Sequence, residues 1–310
     1  MENDETLELT YKFNDIYDEV LEDSNDSSSA FTRPLYDELS NINTQYTQFE
    51  KLAQGGMKSI YKVFDSKLNR HVAYAKLRPQ TPEEVHDPFM REARLTALLE
   101  HPNIISVYDI GVSDDDAPYF TMELKVGDNL TEYMRNSPDC HIPGQVEFQN
   151  LLESFIKVCD AISYAHSKNV LHLDLKPENI QLGQFGEVLV CDWGLGKIIG
   201  DKDIEYDQML FNPDLLNNVT LTGKVVGTPG FMAPEQINLK HEKSFQTDIY
   251  ALGSILYKII TGRDAFESEK LDEILQETLR GEVCPPKGLD LNWQVPISLS
   301  AVALKAMSLG

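Results

Sequence analysis

The stretch HLDLKPENIQLGQFGEVLVCDWG, residues 172–194, decides the reading of this chain. It sets two carboxylates, Asp174 and Asp192, with Lys176 and Asn179 at a spacing suited to holding metal ions and a nucleoside triphosphate beside a hydroxyl nucleophile. That spacing points to phosphoryl-transfer chemistry.

Upstream of this stretch the pattern is one of strands. Residues 49–77, FEKLAQGGMKSIYKVFDSKLNRHVAYAKL, alternate in short segments and predict three strands joined by turns. FMREARLTALLE (89–100) has the period of an amphipathic helix, and ISVYDIGV (105–112) and YFTMEL (119–124) predict two further strands. Helical periodicity dominates from there on. Strands first and helices later predict an α+β, two-lobed molecule: a small antiparallel-sheet N-lobe with one main helix, about 45–124, and a mainly helical C-lobe, about 125–310. Residues 1–44 carry much of the acidic excess, including the run LEDSNDSSSA, and predict a mostly disordered tail. Within the tail, Leu9, Phe13, Ile16, Tyr17, Val20 and Leu21 have the spacing of one short amphipathic helix, the alternative to a solvated arm.

Bulk composition narrows the partners. A chain of 310 residues with 42% hydrophobic residues can bury a sizeable core. Its net charge of −23 repels phosphate backbones and anionic membrane surfaces, so neither nucleic acid nor a membrane is an expected partner. Cys140, Cys159, Cys191 and Cys284 form no CxxC pair, which suits reduced thiols in a cytoplasmic protein better than a disulfide framework or a zinc site. No run approaches the roughly 20 apolar residues of a membrane span.

Residues 172–194 resemble the catalytic and metal-binding loops of the eukaryotic-type serine/threonine protein kinases, a family also found in bacteria, where HRDLKPEN and DFG are the usual wording. The resemblance implies a protein kinase fold, ATP and Mg2+ (or Mn2+) as cofactors, and a protein substrate carrying Ser or Thr. Asp174 would orient the substrate hydroxyl and accept its proton, Lys176 would steady the γ-phosphate, and Asn179 and Asp192 would hold the metal ions. QGGMKSIYKV (54–63) resembles the glycine-rich turn over the phosphates: Gly55 and Gly56 remain, while Ala53 and Lys58 stand where the family has glycines. The lysine that the family aims at the α- and β-phosphates would be Lys76, ion-paired with Glu92. Met122 would be the gatekeeper, Glu123 and Lys125 would offer backbone hydrogen bonds to adenine, Asn129 would meet the ribose, and Gln181 would lie on the floor of the adenine pocket. GTPGFMAPE (227–235) resembles the end of the activation segment, with Thr228 supporting Asp174 and Glu235 anchoring the loop through an arginine farther along. Lys176 with Thr228 is the serine/threonine pattern. Thr220 and Thr222 resemble autophosphorylation sites, and Asp248 in TDIYALG would fix the backbone of the catalytic loop.

Several departures, with those at Ala53 and Lys58, bear on mechanism. Leu173 replaces an arginine that can pair with a phosphorylated loop, and it carries neither charge nor donor. Trp193 replaces Phe and would still pack on His172. Tyr74 and Gln181 stand where the family has Ala and an apolar residue; strand alternation from Lys76 would turn Tyr74 into the nucleotide cleft, where its hydroxyl could bond Gln181, unless a bulge moves Ala73 or Ala75 inward. These departures leave three readings open: an active Mg-ATP-dependent kinase, a pseudokinase acting as a binding or scaffolding module, and a purely structural domain. The chain stops inside an apparent helix, before the arginine that would meet Glu235. It therefore reads as part of a longer protein, and such relatives often continue into a membrane span or repeats.

Overall fold

The computed structural model describes residues 39–42, 44–55, 57–79, 81–125, 127–199, 228–238, 241–266, 268, 270–286, 289, 291 and 293–309. The expected acidic tail up to residue 38, its amphipathic segment, Gly56, Thr220 and Thr222 lie outside the described residues.

From Tyr46 onward the architecture is the expected α+β one. Five antiparallel strands, β1 (Tyr46–Gln54), β2 (Lys58–Asp65), β3 (Arg70–Leu77), β4 (Val107–Val112) and β5 (Pro118–Met122), form a sheet in the order β1-β2-β3-β5-β4. Helix α1 (His86–Leu98) lies against this sheet: Phe89 and Ala93 of α1 cluster with Ala75, Leu77 and Phe120.

Which side chains of β3 meet that helix follows from the pleat. β2 and β3 pair without a register shift, Lys58 opposite Leu77, Ser59 opposite Lys76, Ile60 opposite Ala75 and Tyr61 opposite Tyr74. Directly opposed residues share a face, and faces alternate along each strand. Ala73, Ala75 and Leu77 therefore look toward α1, together with Ile60 and Lys58. Val72, Tyr74 and Lys76 look the other way, and Val63, Val72 and Tyr74 form a separate apolar cluster there with Tyr46, Tyr61 and Tyr119.

The C-lobe is built on helices α2 (Leu130–Asn136), α3 (Val146–Ser167), α4 (Pro234–Ile237), α5 (Phe245–Thr261), α6 (Leu271–Arg280) and α7 (Ile297–Ala306). Short strand pairs join β6 (Val170–Leu171) to β9 (Lys197–Ile198) and β7 (Ile180–Leu182) to β8 (Val188–Val190). Helix α5 is apolar nearly all round and is buried along its length, with Tyr250, Ile255, Leu256, Tyr257, Ile259 and Ile260 in one core with α3 residues Val158, Ala161 and Ile162. It ends at Gly262 in the left-handed conformation, φ +69°, the usual glycine stop. At Gly253 it touches α7 so closely that a Cβ would lie 2.7 Å from the Ala306 Cβ. This buried helix carries Asp248, which holds the backbone of the loop at 172–179. No helix among the described residues is long and apolar enough to cross a membrane, and the four cysteines are free thiols.

Candidate active site

Asp248 near the start of α5 builds the loop at 172–179. Its carboxylate accepts the backbone N–H groups of His172 and Leu173, both at 2.9 Å, and meets His166 Nε2 at 2.8 Å. His172 is fully buried, and its ring packs on Trp193 with centroids 4.5 Å apart. Its Nδ1 accepts the Asp174 N–H at 3.3 Å, so Nε2 carries the proton and donates to the Cys191 carbonyl at 3.2 Å. Burial lowers the pKa of His172, which keeps it a neutral, structural imidazole.

The residues singled out at 174–192 come together. Lys176 Nζ donates to Asp174 Oδ2 at 2.9 Å and to Thr228 Oγ1 at 2.8 Å, and the threonine hydroxyl in turn donates to Asp174 Oδ1 at 3.3 Å. Asn179 Nδ2 donates to the Asp174 carbonyl at 2.8 Å and lies 3.3 Å from Asp174 Oδ2. One carboxylate is thus oriented by a lysine, a hydroxyl and an amide. Asp192 stands at φ +63°, in the left-handed region that few L-residues other than Asn and Asp enter readily. Burial pushes its carboxyl up, but Lys58 and Lys176 outweigh that and hold it below the ordinary aspartate range.

The cation beside Asp192 is not the one expected. Lys76, on the outer face of β3, pairs with Asp115 at 2.6 Å and makes no contact with Glu92. Glu92 is met by Lys58 of β2 at 2.5 Å, and the same ammonium stands 3.6 Å from Asp192 Oδ1. Burial disfavours charge on both partners and raises the Glu92 carboxyl, whereas at Lys58 the carboxylates of Glu92 and Asp192 outweigh burial and raise the ammonium pKa. Each partner's charge favours the ionised form of the other against that burial. The expectation matched Lys76 to the family's lysine by its place in the sequence, whereas the pleat turns Lys76 to the outer face. The position that shares its face with α1 is Ala75, fully buried, and Lys76 follows it outward.

The same parity corrects the reading of Tyr74. It does share a face with Lys76, but that face is the outer one. Tyr74 stacks on Tyr119 (4.5 Å, 17°) and meets Tyr46 and Phe49 edge-on. No bulge is needed to bring Ala73 and Ala75 inward. Gln181 has another partner, its Nε2 donating to the Gly127 carbonyl at 2.8 Å.

Elsewhere along the cleft, Met122 pairs with both Ala73 and Val107 at the end of the sheet, and the Glu123 N–H is taken by the Ser106 carbonyl at 2.9 Å. Lys125 Nζ lies 3.8 Å from Glu123 Oε2 and has no hydrogen-bond partner among the described residues; burial lowers its pKa. Asn129, expected at the ribose, caps α2: its Oδ1 accepts the Glu132 N–H at 2.9 Å, and Glu132 Oε2 returns to the Asn129 N–H at 3.1 Å. Ala53 pairs with Ile60 on β2, and the Gly55 N–H closes the turn onto the Lys58 carbonyl at 2.9 Å. Glu235 accepts the Thr247 hydroxyl at 2.7 Å. Sequence reasoning missed Gln236, whose Nε2 holds the Leu173 carbonyl at 2.8 Å.

The oxygen donors fit a hard divalent cation. With Nδ2 committed to Asp174, the side-chain oxygen of Asn179 takes no hydrogen bond among the described residues, and with the Asp192 carboxylate it offers two protein oxygens. That is the small donor set of a Mg2+ or Mn2+ ion that keeps water and phosphate oxygens. Among the described residues no cluster of three or more His, Cys, Asp or Glu could form an all-protein cage.

The family model described as the protein kinase domain matches residues 46–308. The serine/threonine-protein kinase PknD of Protochlamydia amoebophila is 38% identical over 275 residues, which cover 85% of this chain and 28% of that protein. The proteins of the same name from Chlamydia trachomatis serovar D and Chlamydia felis are 35% and 33% identical, over 86% and 85% of this chain and 29% of each relative. The chain spans less than a third of the length of these curated relatives.

Proposed function

The chain belongs to the protein kinase family, and on that premise we propose that it is an ATP-dependent serine/threonine kinase, transferring the γ-phosphoryl group to Ser or Thr hydroxyls of a protein substrate. The observation that carries this reading is the Asp174 carboxylate, bonded by Lys176 and Thr228 and backed by Asn179. A carboxylate oriented on several sides can align a hydroxyl and accept its proton as the bond to phosphorus forms. Lys176, bridging Asp174 and Thr228, places a positive charge where a transferring phosphoryl group gathers negative charge. Asn179 and Asp192 would hold Mg2+ or Mn2+, which when bound neutralises phosphate charge.

The pseudokinase alternative drew on Ala53, Lys58, Tyr74, Leu173 and Gln181. Of these, Tyr74 lies in the aromatic cluster on the far side of the sheet and Lys58 pairs with Glu92, so neither argues for an obstructed cleft. Free thiols and ATP chemistry together suit a cytoplasmic domain.

The test is thermal denaturation with and without Mg-ATP, paired with radiolabel transfer to a generic acceptor protein. Ligand at a hundredfold above its dissociation constant stabilises by about 2.7 kcal/mol. A shift together with label on Ser or Thr, lost in Asp192→Asn, is the expected result. Absence of both shift and transfer overturns the reading.

A further inference from the structure

Protein kinase chemistry needs a cation on the α- and β-phosphates, held by the carboxylate of the helix behind the cleft. In this chain that helix is α1 and the carboxylate is Glu92. The lysine bound to it comes from the glycine-rich turn, not from β3. Resting on the kinase reading above, we propose that Lys58 is the phosphate-contacting lysine of this enzyme, and that the β3 position which would ordinarily supply it is occupied by Ala75.

Four observations carry this. Lys58 opposes Leu77 in the β2–β3 ladder and so shares the face of Ala75 and Leu77, the face turned toward α1. Its ammonium reaches both Glu92 and Asp192, bridging the helix carboxylate and a residue assigned to the metal. Ala75 carries only a methyl group and is diagonal to Lys58 across the ladder, so it leaves the stem of Lys58 a path along the sheet. Finally, Lys76 is engaged with Asp115 on the opposite face. To bring Lys76 inward, β3 would have to slip by one residue, which would put Tyr74 against α1 and expel Ala75 and Leu77 from their cluster.

The other cations near the cleft are occupied differently. Lys176 lies on Asp174 and Thr228, and Lys125 lies by Glu123 at the hinge. Among the described residues, Lys58 is the cation in contact with both Glu92 and Asp192. A purely structural ion pair locking α1 to the sheet would show the same two contacts, so the test must see the nucleotide.

An acyl-phosphate derivative of ATP provides that test. A lysine amine beside the phosphates attacks the acyl carbonyl, a C–N bond forms, the C–O bond to phosphate breaks, ATP leaves and a proton passes to solvent. Peptide mass spectrometry then reads which lysine carries the amide. Label on Lys58, competed by ATP, is expected. Lys58→Met should lower transfer by ~100-fold or more, the loss typical for one preorganised charge-stabilising group, whereas Lys76→Met, on the outer face, should stay within ~3-fold of wild type. Because Lys58→Met could disturb the turn, the double variant Lys58→Gly with Ala75→Lys returns a cation to the same face, and should regain label, now at residue 75, and part of the lost transfer. Label on Lys76, or Lys58→Met retaining transfer within threefold, overturns the proposal while leaving the kinase reading intact. A Mg-ATP thermal shift with label on neither lysine does the same. No thermal shift and no label overturns both.

Discussion

Asp248 Oδ1 accepts the backbone N–H of Leu173 at 2.9 Å and so holds a branched residue at φ +66°. A left-handed conformation at a non-glycine residue costs about 1–2 kcal/mol, and the loop keeps it because both sides of the peptide are tied: the N–H to Asp248 and the carbonyl to Gln236. The second carboxylate oxygen takes the His172 N–H and faces His166, so both oxygens of a buried side chain are committed.

Asp248→Asn therefore turns one acceptor into an NH2 facing an N–H. We expect it to destabilise the fold by about 2–4 kcal/mol, the range for an unsatisfied buried donor plus a broken charged network. Transfer should fall as the loop relaxes. Urea denaturation gives the first quantity, and an unchanged midpoint would refute the anchoring role.

Asp174→Asn keeps the shape of the side chain but cannot accept a proton. The expected outcome is a kcat about 10²–10⁴-fold lower, with Mg-ATP affinity within about threefold of wild type, since the lysines and metal donors remain. Single-turnover kinetics and calorimetry separate the two. A matching loss in affinity would make Asp174 a binding group instead of a base.

The catalytic loop was legible because its chemistry is local: Asp174, Lys176 and Asn179 lie within six residues, and their backbone turn forces them together. The Lys58–Glu92 pair was not, because it depends on the cross-strand register of β2 and β3 and not on either strand alone. Val72-Ala73-Tyr74-Ala75-Lys76 has two possible inward sets, and only packing against Phe89 and Ala93 selects the odd one. A signal was present all the same. The family's alanine two residues before its lysine is matched by Ala73, which places the lysine's station at Ala75, and a lone Lys58 in a glycine position then asks for a role. Asn129 carried a similar signal, since Asn followed three residues later by Glu132 is the sequence of a capping box.

Leu173 also bears on regulation. It is buried and apolar where the family's arginine would receive a phosphorylated loop. Replacing Thr220 and Thr222 together by Ala should leave transfer within a fewfold of wild type, measured on enzyme treated with phosphatase beforehand and on untreated enzyme. A collapse of activity in the double variant would show that loop phosphorylation acts through other residues.

Trp193 is fully buried and its indole Nε1 has no hydrogen-bond partner among the described residues. Trp193→Phe removes that unsatisfied donor, worth about 1–3 kcal/mol, and leaves a small cavity costing on the order of 1 kcal/mol. The opposing effects should leave the Phe variant between unchanged and about 2 kcal/mol more stable than wild type, whereas Trp193→Ala should cost about 3–5 kcal/mol. Denaturant titrations of the pair check both. A Phe variant as unstable as the Ala one would mean that the N–H is satisfied in solution.

His141 makes the fold sensitive to acid. Its Nδ1 lies 2.8 Å from the Ile259 carbonyl and so carries the proton of a neutral ring, which lies parallel to Trp293. Burial lowers its pKa, with Lys258 adding to the effect, so the folded state resists a second proton that the unfolded chain accepts near pH 6.5. Below that pH the unfolded state binds more protons than the folded one, and stability falls as pH falls. Between pH 7.5 and 5.5 this single group can remove up to about 1.4 kcal/mol. His141→Gln lacks the titration, so its stability deficit against wild type should narrow over that interval in urea denaturation. A deficit independent of pH would show that His141 accepts its proton in the folded protein as readily as in the unfolded one.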